Sequence, residues 1–251
     1  MLLTIDIENK ITSFGIFKKD KLMTSFNIMT DTNESADEIG LKFKLILNDK
    51  GFDLKEIDNI IISNVVPELS SVYEKISQNI IGRGPIFIGS GVKTGINIRC
   101  DNPREVGTDR IIRAVAASSN FKSDCIIIYA STITTIDYIN SDKVFMGGLI
   151  MPGIDLYQKS IFNESAKLPQ VEIRKTDEIL GKNTTSSIQA GIYKAYSKAI
   201  DGIVAEIISE YSIDEPSIVV TGIHADLLDN KNYMHIPDLG LNGLKLISNL
   251  N

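Results

Sequence analysis

The chain has 251 residues and a net charge of −6, with 43% hydrophobic and 23% charged residues. This length and composition are typical of a globular protein with one large or two small domains. The acidic charge balance argues against a nucleic-acid-binding surface. No apolar run reaches membrane-spanning length, and the first residues read as a strand rather than a signal peptide, so we expect a cytoplasmic protein that does not bind a membrane.

Cysteine and histidine are scarce. Cys100 and Cys125 are the only cysteines and neither has a CxxC partner, which favours buried free thiols over a disulfide or a zinc site. His224 and His235 are the only histidines. The sequence therefore argues against a histidine-based catalytic triad or zinc site.

The first part of the chain predicts an antiparallel meander followed by alternating helices and strands. The meander strands are expected at residues 2–7, 11–18 and 22–29. Ser35 and Glu38 form a capping-box pattern, which predicts a helix that ends at Gly51. The remaining predicted elements are a buried strand within 57–66, a helix opened by Pro67, and short strands at 85–88 and 94–99.

The central stretch, residues 101–117, begins with loop residues and ends as a helix. Thr108 is the predicted N-cap, which places Asp109 and Arg110 in the first turn, where free N–H groups and the helix dipole favour anions. Asp109 is favourable at that end on electrostatic grounds alone. The convergence of Gly107, an acid and an arginine at one helix start is more than capping requires, so we interpret this stretch as functional.

After the central helix the strand pattern restarts. The predicted elements are strands at 125–129, 133–139 and 143–151, helices at 153–168 and 185–211, a strand at 217–221, a helix start at 225–228 and a closing helix at 241–250. Two similar halves predict two duplicated ribonuclease-H-like α/β domains, 1–117 and 118–251, with the first hairpin turn of each half pointing into an inter-domain cleft. The alternative is a generic α/β protein with chance similarity between its halves.

A cleft of this type that transfers a phosphoryl group needs thin hairpin turns, carboxylates for a metal and a base for the acceptor hydroxyl. Such turns are normally rich in glycine, because only glycine lets the backbone approach phosphate and adopt a positive φ. The turns expected here, 6–10 and 129–133, contain no glycine.

Six short motifs stand out along the chain, at 94–95, 101–110, 147–153, 166–169, 181–184 and 239–244. In their order and spacing they resemble the type III pantothenate kinases, which belong to the actin-like and sugar-kinase-like ATPase superfamily. The resemblance covers nearly the whole chain. It implies transfer of the γ-phosphate of ATP to the primary hydroxyl of pantothenate, the first step of coenzyme A biosynthesis, by a homodimer that uses Mg²⁺ and a monovalent cation (K⁺ or NH4⁺).

The resemblance also implies roles on the acceptor side. Asp109 matches the general base, and Gly107 and Arg110 match pantothenate contacts. Thr184 resembles the residue that meets the pantothenate carboxylate across the dimer. Cys100 occupies a pantothenate-side position that the family usually fills with tyrosine.

The first turn of the family reads Asp-x-Gly-Asn-Thr. Asp6 matches its metal-side acid and Asn9 a contact near the transferred phosphate, but Glu8 replaces the glycine and Lys10 the threonine. A Glu8 carboxylate about 4 Å from a phosphate would be repelled by on the order of 4 kcal/mol at an effective dielectric near 20, roughly three decades of affinity. Alternatively, Glu8 and Lys10 pair with each other on one strand face, or Lys10 approaches ATP and partly compensates.

The second turn of the family reads Asp-x-Gly-Thr-x-Thr-Thr. Tyr129 replaces its acid and Ser131 its glycine, while Thr132 and the two later threonines remain. The late turn beside the nucleotide, Thr-Gly-Gly in the family, keeps Gly222 but has Ile223 in its last place. Tyrosine cannot supply the charge of a lost cation ligand. A non-glycine residue at a turn position that requires a positive φ costs roughly 1–2 kcal/mol of conformational free energy.

These departures predict a type III pantothenate kinase relative whose ATP site is degraded and whose activity is weak or absent. The alternatives are a fully active kinase with an altered nucleotide turn and a non-catalytic dimeric binding or regulatory protein.

Overall fold

The computed structural model describes residues 1–251, apart from the side chains of residues 80 and 81. The chain forms two compact units. Unit 1 consists of Met1–Ile96, Asp101–Ala116 and Asp238–Asn251, and unit 2 of Asn97–Cys100 and Ala117–Pro237.

Unit 1 contains a five-stranded sheet in the order β3-β2-β1-β4-β5. Its strands are β1 (Leu2–Ile7), β2 (Ile11–Lys18), β3 (Lys21–Met29), β4 (Asn59–Asn64) and β5 (Ile86–Phe87). Its helices are α1 (Ala36–Asp49), α2 (Ser70–Ile76), the start of α3 (Thr108–Asn120) and α6 (Leu239–Ser248). The first three strands form the predicted antiparallel meander, and β4 joins β1 in parallel.

Strand β1 separates a hydrophobic face from a polar one. Leu3, Ile5 and Ile7 belong to a core cluster with buried residues of α1 and α2. The alternate side chains, Thr4 and Asp6, are buried on the opposite face of the strand, where α6 packs against β1. The alternation therefore brings an acid into a packed interior.

The capping box predicted for α1 is present. Ser35 accepts a hydrogen bond from the Glu38 amide, and the Glu38 carboxylate accepts one from the Ser35 amide. The helix ends at Asp49, two residues before Gly51, whose φ of +80° is left-handed.

Unit 2 contains a six-stranded sheet in the order β11-β10-β7-β8-β9-β6. Its strands are β6 (Asn97–Ile98), β7 (Cys125–Tyr129), β8 (Ile133–Ile139), β9 (Val144–Pro152), β10 (Ser217–Thr221) and β11 (Tyr233–His235), and its helices are α4 (Ile154–Asn163) and α5 (Thr184–Glu210). Strands β7 to β9 are again an antiparallel meander, and β10 joins β7 in parallel. Each unit thus combines a meander with a parallel strand added beside its first strand.

Two elements of unit 2 differ from the sequence prediction. Helix α4 ends at Asn163, with Glu164 as its C-cap, instead of reaching residue 168. Strand β11 was not predicted, because its three residues pair with β10 at the sheet edge and carry no alternation of their own.

The predicted division at residue 117 assigns the closing helix to the second domain, whereas the contacts of α6 place it in unit 1. Within unit 1, Gly243 of α6 comes so close to α3 that an added Cβ would lie 1.8 Å from the Ile112 carbonyl oxygen. None of the helices in the described part of the chain combines the length and apolar character that a membrane span requires.

Both cysteines are free, but only one is buried. Cys125 is fully buried, and burial, followed by the charge of Asp124, raises the pKa of its thiol to about 12. Cys100 is half-buried.

At pH 8 we expect an alkylating reagent to modify Cys100 quickly and Cys125 only after unfolding, because the thiolate is the reactive form and Cys125 is both protonated and covered. Intact-mass spectrometry of native protein should show one adduct, and of denatured protein two. A Cys100→Ser variant serves as the control and should give no native adduct. Equal labelling of both thiols in the native protein would contradict the fold around β7.

Gly243→Ala should destabilise unit 1 by about 3 kcal/mol or more, because the methyl group would overlap backbone of α3. The matched control is Gly202→Ala, at an exposed position of α5 where an added Cβ meets nothing within 4 Å. This control should stabilise the protein by roughly 0.5–1 kcal/mol through helix propensity. Denaturant unfolding measures both, and equal effects would show that α6 does not pack against α3 as described.

Candidate active site

The start of α3 carries the first group of predicted site residues. Asp109 and Arg110 lie in its first turn, as predicted, and the amides of Arg110 and Ile111 donate to the Gly107 carbonyl, at 3.0 and 3.2 Å. A Cβ on Gly107 would lie 2.5 Å from Asp109 Oδ1. Glycine at 107 therefore gives the Asp109 carboxylate its space.

The prediction that Thr108 caps α3 is wrong by one position, since Thr108 is the first residue inside the helix. Its hydroxyl lies 3.0 Å from the Ser63 hydroxyl at the end of β4 and 3.5 Å from the Asn64 carbonyl oxygen. The Thr108 side chain thus connects the start of α3 to the sheet of unit 1. Its hydroxyl makes this tertiary contact instead of capping the helix.

Asp6 lies at the end of β1 with only 5% of its surface exposed. Its Oδ1 atom is buried and has no hydrogen-bond partner among the described residues. Burial raises the pKa of the Asp6 carboxyl well above its usual range; the charge of Glu8 and, more weakly, that of Asp109 raise it further, while Arg113 and a hydrogen bond with Ser63 oppose the rise. Gly240 of α6 makes the close packing possible, since a Cβ there would meet Asp6 Oδ2 at 2.8 Å.

Arg113 joins this cluster, and the sequence did not single it out. Its side chain is 2% exposed. One guanidinium nitrogen donates to Asp109 Oδ2 at 2.9 Å, and the other donates to the Glu8 carboxylate. One alternative from the sequence paired Glu8 with Lys10, whereas the structure pairs the Glu8 carboxylate with Arg113. The spacing of Asp109 and Arg113, four residues apart on one helix, was the available signal.

The first turn is closed by a hydrogen bond from the Glu8 amide to the Ile11 carbonyl at 3.1 Å. Asn9 is exposed at its tip, and Glu8 and Lys10 are half-buried. None of these three residues has a positive φ. The expected strain of placing side chains in a left-handed turn is therefore not incurred at these three positions.

The second turn, Tyr129 to Thr132, is held by backbone contacts within unit 2. The Ala130 amide donates to the Thr221 carbonyl at 2.8 Å, and the Gly153 amide donates to the Thr132 carbonyl at 2.9 Å. This turn also lacks a positive φ, although Gly222 beside it has a φ of +104°. Side chains fill the turn without left-handed strain.

Two neighbouring glycines make room for that turn. A Cβ on Gly153 would lie 1.8 Å from the Ser131 carbonyl oxygen, and one on Gly222 would lie 2.4 Å from the Ala130 carbonyl oxygen. Gly222 is one of the predicted site residues, and Gly153 is the last residue of the 147–153 motif. The structure brings both against the second turn.

Two polar groups of this region stand out. Ser131 is buried, and Thr132 Oγ1 is buried with no hydrogen-bond partner among the described residues. A buried hydroxyl of this kind is costly unless a ligand or water satisfies it.

A cavity of about 560 Å³ begins just after Gly222. Its lining is largely polar and comprises Ile154, Asp155, Gln158, Gln170, Glu172, Ile173, Ile223, His224, Asp226 and Leu227. His224 Nε2 lies 3.1 Å from Asp155 Oδ1, a close approach without the alignment of a hydrogen bond.

The remaining predicted residues lie on separate elements of unit 2. Thr184 is exposed at the first position of α5, after Asn183, whose side chain caps the helix by accepting from the Ser186 amide at 2.9 Å. Cys100 follows β6. Within the described residues, no three histidine, cysteine or acidic side chains are grouped to hold a metal by themselves.

Comparisons with known proteins identify the family. The model of the type III pantothenate kinase family matches residues 2–206. A type III pantothenate kinase from Geobacillus sp. (strain WCH70) is 39% identical over 250 residues, covering 98% of this chain and 96% of its own.

Solved structures show the fold. A Baf family protein from Campylobacter jejuni has a TM-score of 0.63 at 21% identity, with 99% of this chain and 98% of that chain covered. The activator of 2-hydroxyisocaproyl-CoA dehydratase from Clostridium difficile, solved with bound ADPNP, has a TM-score of 0.53 at 11% identity, with 98% and 92% covered. The predicted fold of two duplicated ribonuclease-H-like domains of actin-like ATPase type is confirmed. Because its relatives match over nearly their full length, the chain belongs to the type III pantothenate kinase family.

Proposed function

We propose that the chain transfers the γ-phosphate of ATP to the primary hydroxyl of pantothenate, more slowly than relatives with glycine-containing phosphate turns. The observation that carries this proposal is the Asp109 carboxylate at the start of α3, held by a buried Arg113 in one cluster with Asp6. In the proposal this cluster is the acceptor half of a kinase site.

Asp109 acts in this proposal as the general base that takes the proton of the pantothenate hydroxyl. A carboxylate is suited to that task when it is held in place and still reachable, and the Asp109 side chain is 17% exposed while bonded to Arg113. Gly107 and Arg110 lie beside it and contact pantothenate.

Thr184 and Cys100 complete the proposed pantothenate site. The exposed position of Thr184 at the start of a long helix supports a contact with the pantothenate of the other subunit in a homodimer. Cys100, half-buried and free, lines the same substrate in the place of a tyrosine.

Mg²⁺ fits the first turn. The orphaned Asp6 Oδ1 atom is an oxygen ligand without a partner, and Mg²⁺ is commonly held by one or two carboxylates together with substrate phosphates and water. When bound, the ion neutralises charge on the phosphates of ATP. We propose little dependence on K⁺ or NH4⁺, because Tyr129 stands where the family has an acid.

The second turn and the cavity beside it suit the nucleotide. The unpartnered Thr132 hydroxyl and the buried Ser131 would face its phosphates, and the cavity that begins after Gly222 is large enough for adenosine. Asn9 and Lys10, at the tip and side of the first turn, lie on the proposed path of the transferred phosphate.

In this proposal the slower phosphate transfer is caused by the second turn more than by the first. Tyr129 leaves the cation without its carboxylate ligand, because a tyrosine hydroxyl cannot supply that charge. At the first turn the charge of Glu8 is offset by Arg113, so the repulsion of phosphate is smaller than a free carboxylate would cause. This pairing favours the fully active kinase as the second candidate.

We expect purified protein with ATP, pantothenate, Mg²⁺ and K⁺ to form 4′-phosphopantothenate slowly, as measured by mass spectrometry. Asp109→Asn should lower the rate at least about a hundredfold, because the base is lost. A variant with Glu8→Gly, Lys10→Thr, Tyr129→Asp and Ser131→Gly restores the family turns, and an intact family member is the positive control.

Turnover near that of the intact family member would contradict the reduced rate and leave the fully active kinase. Product from the restored variant alone would locate the defect in phosphate handling. Absence of product from both would contradict the kinase proposal and favour the non-catalytic binding or regulatory protein.

Asp6→Asn should stabilise the ligand-free protein at neutral pH. Since burial raises the pKa of Asp6 in the fold, the folded state binds more protons than the unfolded state. Stability therefore falls as the pH rises from the unfolded pKa, about 3.9, through the folded pKa. The gain from Asn should be smallest near pH 4 and should grow with pH.

Thermal unfolding without Mg²⁺ between pH 4 and pH 8.5 measures this gain. The control is Asp20→Asn: a hydrogen bond from Lys245 lowers the pKa of Asp20, so the stability it contributes is lost as the pH falls. The two variants should show opposite pH trends. Parallel trends would show that Asp6 does not carry a raised pKa.

A further inference from the structure

Arg113 is the largest side chain that the fold buries completely, with 1% of the residue exposed. A buried cation is unfavourable unless carboxylates or hydrogen bonds compensate it. Its two described partners, Glu8 and Asp109, provide that compensation. The position of the guanidinium is therefore fixed by charge as well as by packing.

The two partners come from different parts of unit 1. Asp109 lies one turn before Arg113 on α3, and Glu8 lies 105 residues away in the chain, on the turn after β1. The planar guanidinium presents several donors in fixed directions, so it can hold two carboxylates at a set separation. Through it, the first turn and the start of α3 are connected.

We propose that Arg113 is a positioning residue of the kinase site, which fastens the Glu8 carboxylate of the first turn to the Asp109 carboxylate of α3 so that the three groups act as one unit. This inference rests on the proposed function, in which Asp109 is the base. It assigns the Arg113 guanidinium as the counter-charge of the Glu8 carboxylate, so that the nucleotide site needs Arg113 as long as Glu8 is present.

A purely structural ion pair is the competing explanation. Buried ion pairs contribute little net stability compared with apolar residues of similar size, so stability alone is a weak reason for this one. Burial raises the pKa of the neighbouring Asp6 carboxyl, and the charges of both carboxylates raise it further. Loss of Arg113 would leave Asp6, Glu8 and Asp109 without this cation, and an incoming polyphosphate would meet their combined negative charge.

The experiment compares the unmodified chain with Glu8→Gln, Arg113→Met and the double variant, using the full protein. Isothermal titration calorimetry measures the affinity for the Mg²⁺ complex of a non-hydrolysable ATP analogue and, separately, for pantothenate. Turnover and thermal unfolding are measured on the same samples. Lys245→Met is the matched control, because Lys245 is also a buried cation of unit 1 paired with an acid, Asp20.

We expect Arg113→Met to weaken nucleotide binding about tenfold or more, because an offsetting charge is lost next to the phosphates. Pantothenate affinity should stay within about threefold, and turnover should fall about a hundredfold as the base loses its orientation. In the double variant the affinity for the nucleotide should return to within about threefold of the unmodified chain. Lys245→Met should lower the melting temperature without changing either affinity.

Unchanged nucleotide affinity in Arg113→Met, with a melting temperature lowered as in Lys245→Met, would overturn the inference and leave the proposed function standing. A loss of nucleotide affinity on Arg113→Met that is equally large with and without the Glu8 carboxylate would also overturn it. Nucleotide binding without product in the unmodified chain would contradict the proposed function, while the affinities would still decide the inference. If none of the variants binds nucleotide, both fail.

Discussion

The site in unit 1 depends on one interaction, the contact of the buried Arg113 guanidinium with two carboxylates. Three acids, Asp6, Glu8 and Asp109, lie close together there, and burial, followed by the charges of Glu8 and Asp109, raises the pKa of Asp6. Electrostatic interactions are stronger in such a buried setting than in water, so one fixed cation changes the properties of the whole cluster. The orientation of the proposed base and the charge of the first turn both follow from where this side chain is held.

The scaffold that holds the cluster is built from simple alternation. On β1 the odd positions supply the hydrophobic core, and the even positions carry Thr4 and Asp6 to the other face. Helix α6 can cover that polar face closely because Gly240 and Gly243 lack side chains at the contacts with Asp6 and Ile112. The packing that buries Asp6 is thus a direct consequence of two small residues near the end of the chain.

The sequence was sufficient to predict the helices and strands with strong hydrophobic periodicity. Its short motifs were sufficient to predict the family. Strands β7, β8 and β10 have the predicted bounds, since long alternating or continuous apolar runs are local signals. The partner of Arg113 on the first turn could not be predicted in this way, because a contact between residues 105 positions apart leaves no local pattern. Thr108 illustrates the same limit, as its hydroxyl serves a tertiary contact with Ser63 in place of a cap.

The departures from the family pattern fall into two physical kinds. At the first turn the extra charge of Glu8 has a counter-charge in Arg113, and at the second turn Ser131 has no positive φ, so its side chain causes no left-handed strain. In the proposal Tyr129 is different in kind, because neither space nor backbone geometry can supply the carboxylate charge that the family resemblance implies at this position. The proposed reduction in rate is therefore assigned to the cation at the second turn and not to Glu8 or Ser131.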